Sequence, residues 1–484
     1  MHTLFFPAFR PRLAALGRRT RSCLRQTTLV QLGQHLRQLI PDHVLAAEDE
    51  GPNSRERTYT LRLTFECFVW QVLNPDTACR EVVGQVQALA RLVGRALVDE
   101  GTSAYVQARR RLPPERLAQA LAATTRAADQ RAGRGGHLQG RPVKVVDGST
   151  TQLPDTPAHQ KAYPQPARQK PGCGFPVMKL AVLFSLASGA VLDVIMGNLH
   201  AHDLRLFRQL WDSLQRGDIA LGDRAYGEYG TLAALLQRDV DVVARLHQAR
   251  KVDFRKAQRL GGHDGLFTWR RGYNQSQILS AAEWAQLPTQ ITVRLLRFRA
   301  QVRGFRARRI TLVTTLLDSK LYPAQELIGL YARRWRLELC LRDLKTTLGM
   351  EQLRCHSPAM AQKEVFAYLI AHNLRRWVMA EAAALYEVDL ERISFKGTMD
   401  AVRQYSAAIA QARNQKLRRL LWEDLLVNLV RDQLPLRPNR YEPRAVKRRP
   451  KPYSLLNKPR RQFKEIAHRN RYWKNHPRKN RSLN

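Results

Sequence analysis

Three acidic residues and one short pattern carry the chemistry open to this sequence. Asp147 ends a β-rich run, KVVD at 144–147, and is followed by the turn residues Gly148, Ser149 and Thr150. Asp223 follows the short apolar strand Ile219-Ala220-Leu221 and Gly222. Glu338 lies in YARRWRLELCLRDLK, residues 331–345, inside a long helix expected from Ala324 to about Leu348. At about 100° per residue, Tyr331, Arg334, Glu338 and Lys345 share a sector of roughly 60°, beside a core-facing stripe of Leu337, Leu341, Leu344 and Leu348. On its own, Glu338 needs no more than a salt bridge to Arg334 four residues earlier. The two upstream acids at strand ends change that reading. Two carboxylates from strand ends and one from a helix beside them make a hard oxygen ligand set for two Mg²⁺ or Mn²⁺ ions. Such a pair activates water or a 3′-OH and stabilises the leaving oxygen of a phosphodiester. Arg334 and Lys345 would then contact phosphates, with Tyr331 positioning the backbone near the cut. Arg224, directly after Asp223, reads either as a phosphate contact or as a partner for a neighbouring acid.

The composition agrees with an anionic partner. The chain has 484 residues, with 81 Lys+Arg against 41 Asp+Glu, a net charge of +40. An apolar content of 44% is enough for a packed core, so this is a folded polycation and not a disordered one. Nucleic acid is the leading polyanion, with an anionic membrane surface second. No membrane span is expected, because the most apolar stretch, 180–196, is broken by Ser185, Ser188, Gly189 and Asp193 and reads as two strands. The N-terminus places Phe and Pro before its Arg residues, the reverse of a secretory signal. Six scattered cysteines without a CxxC pair fit a reducing, cytoplasmic setting.

The elements that must position these residues follow from the pattern along the chain. Residues 1–135 read as helical, with Arg109, Arg110 and Arg111 on a short helix before Pro113-Pro114; this is either a DNA-binding module or a packing domain with a solvated basic face. Residues 136–246 alternate strands and helices: the run to Asp147, a hairpin of 177–186 and 190–197, a helix at 203–215, a strand to Asp223, a helix at 230–238 and a strand at 240–246. Residues 247–308 read as a β-rich insertion, 309–380 as the return of the core, and 381–434 as further helices. Residues 435–484 form a basic, proline-containing tail. His200, His202 and Asp203 resemble a metal cluster, but at a strand-to-helix junction an Asp more often caps the helix. Cys355-His356 lacks partners at zinc spacing and reads as structural.

The spacing Tyr, two residues, Arg, three residues, Glu, six residues, Lys resembles the signature of DDE transposases of the IS4 family. Asp147 in VVDGST, Asp223 in LGDRAYG, the RCHSP segment and the PRAVKRRPKPY tail are similar in context. The likeness covers about Val143 to Arg376. It implies an α/β fold with an RNase H-like mixed-sheet catalytic core, interrupted by the insertion between the second Asp and the Glu. It also implies Asp147, Asp223 and Glu338 as metal-holding catalytic residues, and cut-and-paste transposition of a bacterial insertion sequence on double-stranded DNA by a homodimer that synapses two element ends. Some relatives close the cut end into a hairpin with a Trp on the strand before the signature helix. The comparable strand here, 309–315, has none, and Trp269 or Trp284 would have to serve. Two other readings stay open: a DNA-binding remnant without catalysis, and an RNase H-like nuclease without strand transfer.

Overall fold

The computed structural model describes residues 36–46 except 38, 58–300 except 75, 93, 95, 96, 274, 275 and 277, 308–435, and 458, 459 and 462. The expectations for the first 35 residues and for nearly all of the basic tail lie outside the described residues. Four helices lead in: α1 (Leu61–Leu73), α2 (Cys79–Leu92), α3 (Ser103–Arg111) and α4 (Pro114–Ala132). Their ends are written locally. The Thr60 hydroxyl accepts from Leu63 N–H at the start of α1, Pro114 opens α4 where no N–H is needed, and Gly133 closes it at φ 60°. On α3 the basic run divides. Arg109 is buried, its guanidinium hydrogen-bonded to Gln71 and Cys79 and packed over the rings of Phe68 and Tyr105, so it belongs to the helical core and not to a basic edge.

The sheet begins with β1 (His137–Leu138) and β2 (Arg141–Gln152), followed by α5 (Pro157–Ala162), the hairpin β3 (Val177–Ser185) and β4 (Val191–Asn198), and α6 (Asp203–Gln209). Next come β5 (Ile219–Gly222), α7 (Tyr229–Leu236) and β6 (Asp241–Arg245). The order β4-β3-β2-β5-β6, with β5 and β6 parallel to β2 and β3 antiparallel to both its neighbours, is that of an RNase H-like core. Alternation along the strands separates the two faces. Val145, Leu180, Val182 and Phe184 join the helical side of the core, whereas Val146, Ala181 and Leu183 pack under α6 and α7. The insertion, β7 (Gln258–Gly261), β8 (Asp264–Arg270), α8 (Ala281–Gln286) and β9 (Gln290–Ala300), is strand-rich as expected. Its strands do not form a body apart: β10 (Arg308–Thr314) pairs with β6, and β9, β8 and β7 continue the same sheet outward.

Five helices follow among the described residues: α9 (Ala324–Arg333), α10 (Arg336–Arg342), then α11 (Pro358–Leu385) and α12 (Phe395–Gln411), with α13 (Gln415–Arg431) last. Helix α11 is the central beam, buried along most of its length against α4 and the sheet. Its buried Asn373 accepts from Val191 N–H at 2.8 Å and donates to Val191 C=O at 2.9 Å, closing an edge of β4 as another strand would. Among the described residues no helix is long and apolar enough to cross a membrane.

Two expectations need correction. The run ending in Asp147 is not short: β2 has 12 residues and Asp147 lies inside it. The reason is asymmetric pairing. The parallel ladder to β5 stops at Val145↔Leu221, while the antiparallel ladder to β3 continues to Gln152↔Val177. Asp147 therefore stands where one neighbour has ended, which frees its side chain as a strand end would. The long helix from Ala324 is also not continuous. It breaks at Arg334-Trp335, where Arg334 N–H, Trp335 N–H and Leu337 N–H each bond the carbonyl three residues back, and residues Asp343–Thr347 form a π-helical turn. No Gly or Pro causes the break. Adjacent arginines are drawn apart, Arg333 to the Gly135 carbonyl at 2.7 Å and Arg334 to the acids, while Trp335 is exposed.

Candidate active site

Each acid is delivered by a different element. Asp147 leaves β2 with its Oδ1 accepting the Gly148 N–H at 2.8 Å. Asp223 follows β5 in an extended conformation and opens a single 3₁₀ turn, Arg224–Tyr226. That turn requires Gly222, because a Cβ there would lie 2.5 Å from the Tyr226 ring. Glu338 comes from the first turn of α10.

Arg334 ties them together. Its Nη1 lies 3.9 Å from Asp147 Oδ2 and its Nη2 lies 3.6 Å from Glu338 Oε1, and its guanidinium sits 5.7 Å from the Tyr331 ring centroid. Burial pushes the Asp147 carboxyl above its ordinary range; the Gly148 N–H and Arg334 oppose that rise, and the nearby Asp223 adds to it. Burial also raises the Tyr331 phenol, with Arg334 pulling the other way and Asp223 adding. Burial alone would weaken the Arg334 charge, but Tyr331, Asp147 and Asp223 more than restore it. Residues separated by nearly two hundred positions thus share one electrostatic neighbourhood: Asp147, Asp223, Tyr331, Arg334 and Glu338.

The other two predicted contacts, Lys345 and Arg224, are not among the groups that act most on Asp147 or Arg334. Lys345 sits in the π turn and lines a cleft of about 1070 Å³ with Arg110, Arg354 and His356, whose lining includes none of the three acids. The straight-helix ruler fails for it because the break and the π turn lie between Tyr331 and Lys345. Arg224 donates to Gln248 at 3.3 Å.

Sequence reasoning misread one neighbour, Asp203, and passed over another, Tyr226. Asp203 is not the cap of α6. His202 takes that role, its ring nitrogen accepting Leu204 N–H, and Asp203 instead pairs with Lys179 at 2.8 Å and adds negative field at Asp147. Tyr226 is buried edge-on against Phe207, and its phenol is driven up by burial and by Asp203, Asp147 and Asp223. The signal for both was proximity across the sheet, which spacing along the chain does not report. Trp269 is covered by Arg250 at 4.0 Å and Trp284 packs on Tyr229, so both are engaged within or beside the insertion.

Three carboxylates supply the oxygen donors a divalent cation prefers, but their spacing as found does not fit one. Among the described residues no three acidic, His or Cys side chains close around a common point, and the Arg334 guanidinium stands between Asp147 and Glu338.

Comparison with known proteins bears on the same stretch. Residues 138–374 match the family model described as "Transposase DDE domain". The chain is 25% identical over 434 residues to the transposase InsG for insertion sequence element IS4 of Escherichia coli (strain K12), covering 89% of this chain and 94% of that protein. It is 24% identical over 381 residues to a probable transposase for insertion sequence element IS5377 of Geobacillus stearothermophilus, covering 77% of this chain and 90% of that one. A solved piggyBac transposase synaptic complex with hairpin DNA aligns over 85% of each chain at a TM-score of 0.40 and 7% identity.

Proposed function

We propose that this chain is the cut-and-paste transposase of an insertion sequence, which cleaves double-stranded DNA at the element ends and joins them to target DNA. The observation that carries the reading is the convergence of Asp147, Asp223 and Glu338 on Arg334 inside the stretch matched by the DDE domain model. In this reading the Tyr331, Arg334, Glu338 and Lys345 spacing is the IS4-type signature, and the three acids are the catalytic residues, which would have to close up from the spacing found to hold two Mg²⁺ or Mn²⁺. When bound, the ions supply an activated water or 3′-OH and stabilise the leaving oxygen.

The chain's own groups have separate tasks. Asp147 and Glu338 are kept apart and oriented by the strand and the helix that carry them. Arg334, at the edge of the acids, and Lys345 and Arg224, farther out, offer positive charge to phosphates. Tyr331 buttresses Arg334. The helices before residue 135 and the tail from 435 are proposed as the DNA-binding parts, flanking a core at 136–246 and 309–380 with its insertion at 247–308. The protein would act in the bacterial cytoplasm as a homodimer on two element ends.

The test is a duplex ending in the repeats that flank the gene, incubated with the protein and Mg²⁺. Cleavage at the repeat boundary followed by joining to a target plasmid is expected. Cleavage without joining means a nuclease, and binding without cleavage means a remnant; either result overturns the proposal.

A further inference from the structure

Arginines gather a second time, around a cavity of about 630 Å³ whose lining includes none of Asp147, Asp223, Arg334 and Glu338. Arg336 precedes Glu338 by two residues, which puts the two side chains on nearly opposite sides of α10. The cavity lies between α10, the end of α4, the turn that joins β3 to β4, the C-terminal half of α11 and residues 388–396. Among the described residues, six basic side chains line it against three acidic ones. A guanidinium carries five N–H donors, and the contacts of three of these cations use few of them. Arg333 donates its Nη2 to the Gly135 carbonyl at 2.7 Å, while its Nε is buried without a partner. Arg376 donates its Nε to the Ser188 carbonyl, and its Nη1 lies 4.0 Å from the Met379 sulfur. Gly189, at φ 70°, makes room for that side chain, because a Cβ there would lie 2.7 Å from its Nη2. Arg336 pairs with Glu391.

The cations also act on one another. Burial pushes the Arg336 guanidinium down to about 10, the like charges of Arg333 and Arg376 add to the fall, and Asp389 opposes it. Burial lowers Arg333 as well, again with Asp389 opposing. The three acids compensate in part. Asp389 and Glu391 stand on an exposed turn, and burial raises the Asp343 carboxyl against the pull of Arg342 and Arg376.

We propose that Arg333, Arg336 and Arg376 form a binding site for a phosphate group, separate from the three acids and open to a DNA backbone or to a free phosphate compound. Guanidinium forks match phosphate oxygens, and those oxygens point in several directions, so one phosphate accepts from several arginines where Glu391 pairs with one. Glu391 then competes with the phosphate for Arg336. The site stands whether or not the acids hold metal.

Pyrophosphate is the probe, titrated calorimetrically into the full-length protein in about 0.15 M salt, where exposed charges are largely screened. Arg333→Gln and Arg336→Gln should each weaken its binding about tenfold. Arg216→Gln, which removes the same charge from an exposed pair with Asp239, should bind like native. Glu391→Gln, which releases Arg336, should bind about threefold more tightly; it carries the test if the arginine variants do not fold. If Arg333→Gln and Arg336→Gln bind pyrophosphate no more weakly than Arg216→Gln, or if Glu391→Gln is no tighter than native, the site is overturned. A short blunt-ended duplex then separates the two sources. Displacement of pyrophosphate by the duplex, with a matching loss of duplex affinity in Arg336→Gln, identifies the DNA backbone. Duplex affinity equal to that of Arg216→Gln identifies a free phosphate compound, and either result supports the phosphate site.

Discussion

Two arginines with carboxylate neighbours, one fully buried and one partly buried, contrast a finished ion pair with an unfinished one. In the insertion, Arg294 on β9 is fully buried, forks onto Asp264 at 2.8 and 2.6 Å, and donates to the Tyr322 carbonyl at 2.7 Å. At the acids, Arg334 is nearly as enclosed and holds its carboxylates at 3.6 and 3.9 Å. The chemistry of the pairs is the same. The first is complete and ties β9 to β8 and to the loop that carries Tyr322; the second leaves the Arg334 Nε buried without a partner. Satisfaction, more than burial, separates a structural ion pair from a functional one.

The comparison can be broken at several points. The largest effect is expected at the acids: Asp147→Asn or Glu338→Gln should lower strand cleavage by about 10⁴-fold or more, roughly 5.5 kcal/mol of barrier, while DNA binding in a gel-shift assay is retained. On the structural side, Asp264→Ala leaves Arg294 buried and unpaired, and chemical denaturation should register a loss of about 3–5 kcal/mol. Asn373→Ala strips both Val191 backbone groups of their partner and should cost about 2–4 kcal/mol in the same experiment.

A pH effect comes next. His372 is fully buried, stacked on Phe395, with its ring nitrogen 3.0 Å from the Gly189 carbonyl, and burial lowers its pKa to about 3. The unfolded chain takes up this proton from about pH 6.5 downward and the folded one does not. Its contribution to stability is therefore full above that pH and is lost as pH falls toward 3, with a slope of about 1.4 kcal/mol per pH unit. Stability curves of native and His372→Phe protein should differ by that slope between pH 6 and 4. Equal slopes would show that the ring is protonated inside the fold. The smallest effect belongs to Arg224: its exposed contact to Gln248 predicts a stability change within about 0.5 kcal/mol for Arg224→Ala. Its place beside Asp223 predicts that the salt dependence of DNA binding becomes shallower by about one unit in log–log slope.

Much of the fold was legible along the chain because its signals are local. The hairpin turning through Ala187, Ser188 and Gly189, the strand before Asp223, and the short helix that ends before Pro113-Pro114 follow from turn and breaker chemistry read over a few residues. The role of Arg109 was not legible: its partners, Gln71, Cys79 and Phe68, sit on earlier helices, so composition placed it on a basic edge. Lys345 is a related case, since one broken turn and one π turn undo a straight-helix projection.

By itself the sequence determined the identity of the acids, their order and the family they resemble, because hard oxygen ligands and phosphate-binding cations are fixed by residue type and spacing. Only the tertiary structure decided that Asp147 gains its freedom where β5 ends and not where its own strand ends, and that His202 and not Asp203 caps α6. It also decided that Arg334 stands between two carboxylates without gripping either. Those outcomes depend on ladder lengths, helix breaks and electrostatic neighbours, which arise when distant segments compete for the same space.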